Sequence, residues 1–149
     1  MSVATARNLL DNVRQFHQQV ADYCQRVALH QNERIRMLLE YIGRHEQHLA
    51  EATAAYQQDG LDKVLNTWFR NVPTQLASAK DIDTLGNHPS VDDVINWVVR
   101  LDDSVINYYQ SLAEEAEIPE MRTALTNLLA MESREKLKTV RSALRINDL

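Results

Sequence analysis

The chain has 149 residues, of which 44% are hydrophobic and 25% charged, and its net charge is −5. This length suits one domain with a real hydrophobic core, and the acidic balance gives no electrostatic reason to expect nucleic acid or an anionic membrane as a partner. Three glycines, three prolines and one cysteine argue against a turn-rich sheet protein, a disulfide framework and a cysteine-based zinc motif. We expect a cytoplasmic protein, because no apolar signal core or membrane-spanning run is found.

The first sixty residues predict two amphipathic helices. Apolar residues recur at steps of three and four over 4–29 and again over 33–58, as helices packed in a bundle require. Asn32 can cap the second helix, and Asp59-Gly60 can end it. No glycine or proline separates the two helices, so the break is inferred from the unusual length of one continuous helix. The inward stripe of the second helix is expected to be Ile35, Leu38, Ile42, His45, Leu49, Ala52 and Tyr56.

The middle of the chain, 61–90, is predicted to be a long crossover. Its first part, 61–70, predicts a short helix that Pro73 would stop. The stretch 80–90 has the composition of a loop. We therefore expect one short helix within this connection.

Two further helices are predicted after the crossover. Ser90 can cap a helix over 91–116, and Pro119 suits the first turn of a helix over 119–145. Their inward stripes are expected to be Val91, Val94, Val98, Asp102, Val105, Tyr109 and Leu112, and then Met121, Leu125, Leu128, Glu132, Glu135, Thr139 and Ala143.

This layout predicts an all-α protein with a single domain over 1–149. Each short turn makes an antiparallel hairpin, and the long crossover joins the two hairpins into a four-helix bundle. We expect the crossover to let the second hairpin start from the same end of the bundle as the first.

The two hairpins also match each other as a weak internal repeat. Apolar matches between amphipathic helices prove little, but polar residues that lie on or next to apolar stripes match less easily by chance. The polar pairs are His17 with Asp102, His45 with Glu132, and His48 with Glu135. In this alignment the offset grows by two residues between the first and the second helix of each hairpin.

With these residues and the long crossover, the chain resembles the ferritin-like superfamily, and its hairpins look most like the rubrerythrin branch. In that superfamily the bundle core holds two metals through a Glu from each of two helices and a Glu-x-x-His from each of the other two. The matching positions here are His17, 45-HEQH-48, Asp102 and 132-ESRE-135. Only His48 and Glu132 keep the family's residue type, although the other four can also bind metal.

The resemblance implies a metal site inside a ferritin-like four-helix bundle. A neutral imidazole offers one lone pair, so His45 should not bridge two metals, whereas Glu132 can. We favour one ion per chain, either iron, manganese, zinc or nickel, because at most three acidic ligands are present. The implied ligands are His17, His45, His48 and Glu132, with Asp102, Glu135 and a share of Glu132 as a weaker second site. The implied reaction class is oxidoreduction of oxygen or peroxide.

Two alternatives stay open at this point. Three histidines facing three carboxylates can pair with each other without metal, leaving a bundle that acts as a non-enzymatic interaction or self-association module. The helix phases can also differ, with Leu101 facing inward in place of Asp102, and with Glu135 solvated. The sequence identifies neither a substrate nor a protein partner, and a homo-oligomer agrees with either function.

Overall fold

The computed structural model describes residues 3–72 and 76–148. Its elements in chain order are β1 (Ala4–Thr5), α1 (Ala6–Ala28), α2 (Glu33–Asp59), α3 (Asp62–Leu65), β2 (Trp68–Phe69), α4 (Ala79–Ile82), α5 (Val91–Glu115) and α6 (Pro119–Asn147). Helix α1 packs against α2, and α5 against α6, with a further contact between α2 and α6. The predicted all-α four-helix bundle of two antiparallel hairpins is confirmed.

Polar side chains close the helix ends where the sequence placed caps. The Asn32 side-chain oxygen accepts a hydrogen bond of 3.0 Å from the backbone N–H of Ile35, at the start of α2. At the start of α5, Ser90 and Asp93 accept from each other's backbone N–H groups and form a capping box. Pro119 occupies the first turn of α6, where its missing N–H removes no intrahelical bond.

The crossover differs from its prediction in two ways. The helix expected over 61–70 is limited to α3, because the residues after it pair with the start of the chain as the antiparallel strands β1 and β2. This register places Trp68 opposite Thr5, a contact between distant parts of the chain that local sequence does not reveal. The loop expected over 80–90 begins within the short helix α4. Pro73, the predicted stop, lies outside the described residues.

The described parts of the crossover, 61–72 and 76–90, contact both ends of α1. Its β2 strand pairs with β1, immediately before α1. Further along, the Leu85 N–H donates to the Tyr23 hydroxyl at 3.4 Å. The Asn87 carbonyl accepts from Gln31, just beyond the end of α1, at 3.1 Å. Helix α5 therefore begins beside the α1–α2 turn and runs parallel to α2. The expectation that both hairpins start from the same end is wrong. The first hairpin starts at the end of the bundle where β1 and β2 pair, and the second starts at the opposite end, beside the α1–α2 turn.

The bundle core contains the apolar stripes of all four long helices, but after Ile42 the buried residues of α2 differ from the predicted ones. Gly43 packs so closely on α1 that a Cβ there would lie 3.3 Å from the Cβ of Cys24. The buried row of α2 after Ile42 is Gly43, Glu46, Leu49, Ala50 and Thr53, in place of the predicted His45, Leu49, Ala52 and Tyr56. No helix among the described residues combines the length and the apolar composition needed to cross a bilayer.

Candidate functional site

One polar side chain from each long helix meets the others inside the bundle. His17 of α1, Glu46 of α2, Asp102 of α5 and Glu132 of α6 are all at most 5% exposed, and we call them the core cluster. The Nδ1 atom of His17 lies 2.5 Å from Oε2 of Glu46, and its Nε2 lies 2.7 Å from Oε1 of Glu132. The carboxyl group of Asp102 is hydrogen-bonded to Glu46. The core cluster is thus one chain of hydrogen bonds that passes through all four helices.

The charges in the core cluster follow from its burial and its partners. Burial alone would lower the pKa of His17, but the charges of Glu132 and Glu46 hold that pKa well above its usual range. His17 is therefore an imidazolium, with an N–H for each glutamate. Burial, followed by the charge of Glu46, raises the pKa of Asp102 well above its usual range. A protonated Asp102 donates to Glu46, which leaves the cluster with a net charge of about −1.

One buried oxygen atom on α5, Oδ1 of Asp102, has no hydrogen-bond partner among the described residues. The hydroxyl of Tyr109, two turns further along the same stripe, lies beside the Thr53 side chain but makes no hydrogen bond of ordinary geometry. Burial, with a smaller effect from the charge of Glu132, raises the pKa of Tyr109 well above its usual range. An unpaired buried polar group costs about 1–3 kcal/mol, so such atoms are rare and indicate a ligand, a water molecule or a functional constraint.

Three of the predicted metal ligands lie outside the core. His45 is half-buried at the edge of the α2–α6 interface, so the prediction that it points into the core is wrong. Its Nε2 lies 2.6 Å from Oε2 of Glu135, although the two atoms are not aligned for a hydrogen bond. Glu135 also accepts a hydrogen bond from Lys138, and the ring of Tyr41 stacks on His45. His48 is exposed.

The structure therefore divides the six predicted residues into two groups. His17, Asp102 and Glu132 belong to the core cluster, whereas His45, His48 and Glu135 do not. Within 3–72 and 76–148, no three His, Cys, Asp or Glu side chains are already arranged to hold a metal ion. Binding an ion in the core would require His17 to give up at least one of its present hydrogen bonds.

Glu46 is the core residue that the sequence interpretation missed, and the internal repeat contains a signal for it. An offset of 85 residues pairs His17 with Asp102, and an offset of 86 pairs Glu46 with Glu132. The same offset of 86 matches buried residues of α2 with buried residues of α6: Ile35 with Met121, Leu38 with Ala124, Leu39 with Leu125, Ile42 with Leu128, and Thr53 with Thr139. The offset grows by one residue between the two helices of a hairpin, where we expected two.

The backbone is similar to a solved structure from Thermotoga maritima, a protein provisionally described as a ferritin-like diiron-carboxylate protein. The two share a TM-score of 0.62 over 96% of this chain and 97% of the other, with 9% sequence identity. The chain therefore has the ferritin-like fold. At this identity the similarity shows the fold alone, and the rubrerythrin branch stays a prediction. No protein-family model matches the sequence. No curated protein matches it either.

The two-metal centre of ferritin-like proteins does not fit these residues. Glu46 and Glu132 lie where the Glu of each Glu-x-x-His would be, but the residues three positions later are Leu49 and Glu135. His17 also replaces one of the remaining glutamates. The core cluster contains one imidazole and three carboxyl groups, one of which has the unpartnered Oδ1 of Asp102, and these donor types would suit one ion after rearrangement. The imidazole and Asp102 would each have to lose a proton to bind it.

Proposed function

We propose that this ferritin-like protein binds one transition-metal ion through His17, Glu46, Asp102 and Glu132. The observation that supports this most strongly is the burial of three carboxyl groups around one imidazole, with Glu46 and Glu132 bonded to His17 and Asp102 bonded to Glu46. With Asp102 ionised and His17 deprotonated for binding, the three carboxylates would carry about −3 in a buried place, which is costly. A divalent ion would take the place of the two released protons and return the cluster to about −1. The unpartnered Oδ1 of Asp102 would also gain a partner.

The ligand types narrow the choice of metal and of reaction. Carboxylates suit manganese, and imidazole suits iron, zinc or nickel. Burial raises the pKa of Cys24 well above its usual range, so this cysteine is a thiol and offers no thiolate to a softer ion. The structural neighbour's description as a diiron protein supports iron among these. A redox-active ion would supply electron transfer to oxygen or peroxide, and we propose oxidoreduction as the reaction class. The bundle residues would hold the ion and exclude bulk water.

A second candidate function is favoured by the hydrogen bonds of His17. Both of its ring nitrogens already bind glutamates, so the imidazolium lies between Glu46 and Glu132 as a cation in its own right. An internal cation of this kind would stabilise a ferritin-like bundle without metal. The protein would then act through its surfaces, as an interaction module.

Elemental analysis of the untagged protein, followed by anaerobic titration of the chelator-treated protein with Fe(II) and Mn(II), distinguishes the two candidates. Our proposal predicts about one equivalent per chain and a higher melting temperature, since an ion that binds only the folded state stabilises it. Two equivalents would show a dinuclear centre and contradict the assignment. No uptake of either ion, with none in the purified protein, would favour the metal-free bundle.

A further inference from the structure

The second half of α6 presents both cations and leucines to solvent. We call these residues the outer face of α6: Arg134, Leu137, Lys138, Arg141, Leu144 and Arg145. Their steps of three and four place them on the side of α6 opposite its buried stripe. Leu137 and Leu144 are 55% and 51% exposed, so packing within the bundle does not account for them.

The cations on this face are largely unused within the chain. Arg134, Arg141 and Arg145 have no ion-pair partner among the described residues, and Lys138 reaches only Glu135, at 3.2 Å. Residues 132–147 contain five basic and two acidic side chains, so their net charge is +3. The whole chain has a net charge of −5, so the remaining residues carry −8. The second half of α6 is therefore a segment of net positive charge in an otherwise acidic protein.

The spacing of the two leucines indicates the shape of what would cover them. They are seven residues apart, the interval at which one helix packs along another. Arg141 lies between them, and Lys138 and Arg145 follow directly after each leucine. In paired helices, charged residues beside the apolar seam select a partner of opposite charge.

We propose that the outer face of α6 binds an acidic amphipathic helix of another protein. Leucines on that helix would cover Leu137 and Leu144, while its glutamates or aspartates would pair with the arginines. A second copy of α6 would bring like charges together, which disfavours self-association through this face. A flat anionic membrane is disfavoured, because the residues outside 132–147 carry a net charge of −8 and would be repelled by it. Two leucines would also bury too little apolar surface in the lipid to hold the protein there.

Binding of a designed peptide by the intact protein tests this proposal. The probe is a fluorescent helix of about three heptads, with leucine at every seventh position and glutamates beside it, and its control is a peptide of the same composition in scrambled order. We expect saturable binding of the first peptide in fluorescence anisotropy, about tenfold or more weaker with the scrambled one. Binding should also weaken at least about tenfold in Arg141→Glu/Arg145→Glu and in Leu137→Ala/Leu144→Ala.

A charge-matched variant controls for net charge. Arg36→Glu/Arg44→Glu makes the same change at two exposed positions of α2, away from this face, and should leave binding unchanged. All of these positions are exposed, so circular dichroism should show folded proteins. Equal binding of the two peptides, equal loss in the α2 variant, or no binding at all would overturn the proposal. Tighter binding to vesicles containing phosphatidylserine would replace it with a lipid surface, and a concentration-dependent dimer lost in Arg141→Glu/Arg145→Glu would replace it with self-association.

Discussion

His45 and Glu46 are neighbours in α2, and each connects α2 to α6 by a different route. His45 lies 2.6 Å from Glu135 at the partly exposed edge of the interface. Glu46 reaches Glu132 through the ring of His17, inside the core. The His45–Glu135 contact is partly exposed to solvent, whereas the contacts of His17 with Glu46 and Glu132 are buried. Equally short distances therefore contribute differently to stability.

Replacing His17 should destabilise the protein far more than replacing His45. His17→Ala leaves two buried glutamates without their cation, and we expect a loss of about 3–5 kcal/mol in the free energy of unfolding. His45→Ala removes a partly exposed pair and should cost about 1 kcal/mol or less. Urea unfolding of the chelator-treated proteins, followed by circular dichroism, measures both. Similar losses in the two variants would show that the core cluster is not the stronger connection.

Asp102→Asn should flatten part of the dependence of stability on pH in the metal-free protein. The pKa of Asp102 is raised above its ordinary value of 3.8 by burial and by Glu46. Its contribution to stability is therefore complete below about pH 3.8 and is lost as the pH rises through the folded value. Asparagine resembles the protonated acid and cannot ionise, so the variant should be the more stable protein at alkaline pH.

Asp103→Asn provides the control for this measurement. Asp103 is the next residue and pairs with Lys136 at the surface of the bundle. Its replacement should leave the loss of stability at rising pH in place. If Asp102→Asn follows the same curve as Asp103→Asn, the protonated state assigned to Asp102 is incorrect.

The ring of His17 should stay protonated at pH values where ordinary histidines are neutral. Glu132 and Glu46 hold its pKa well above 6.5 despite the cost of burial. The contribution of protonated His17 to the stability of the folded protein is present in full below about pH 6.5, and it is lost as the pH rises through the pKa of His17 in the folded state. Ring chemical shifts in an NMR titration of the metal-free protein, assigned with His17→Ala, provide the measurement. A midpoint at or below 6.5 would contradict the imidazolium.

Glu46→Gln should weaken metal binding, whereas Glu40→Gln should not. Both glutamates belong to α2, but Glu46 is buried in the core cluster and Glu40 is exposed. The amide keeps the size of the side chain and removes the charge, so we expect the dissociation constant for Mn(II) or Fe(II) to rise at least about tenfold. Calorimetric titration compares the two variants. Equal affinities would place any bound ion outside the core cluster.

Much of the fold was predictable from the sequence because the signals of a helix, its apolar periodicity and its caps, lie within the helix itself. Apolar periodicity located the four long helices, and Asn32 and Ser90 cap them as expected. The pairing of β1 with β2 was missed because it joins residues more than sixty positions apart. The direction of the crossover was also missed, since its length alone does not show which end of the bundle it reaches.

The sequence by itself determined that polar residues capable of binding metal lie on or next to the apolar stripes of three helices, at His17, Asp102 and Glu132, while the structure buries both Leu101 and Asp102. Only the tertiary structure decided the fourth helix, where Glu46 faces inward and His45 does not. Successive residues of a helix point about 100° apart, so a small rotation of α2 exchanges one neighbour for the other. The close approach of Gly43 to Cys24 fixes that rotation, and it depends on how two helices pack.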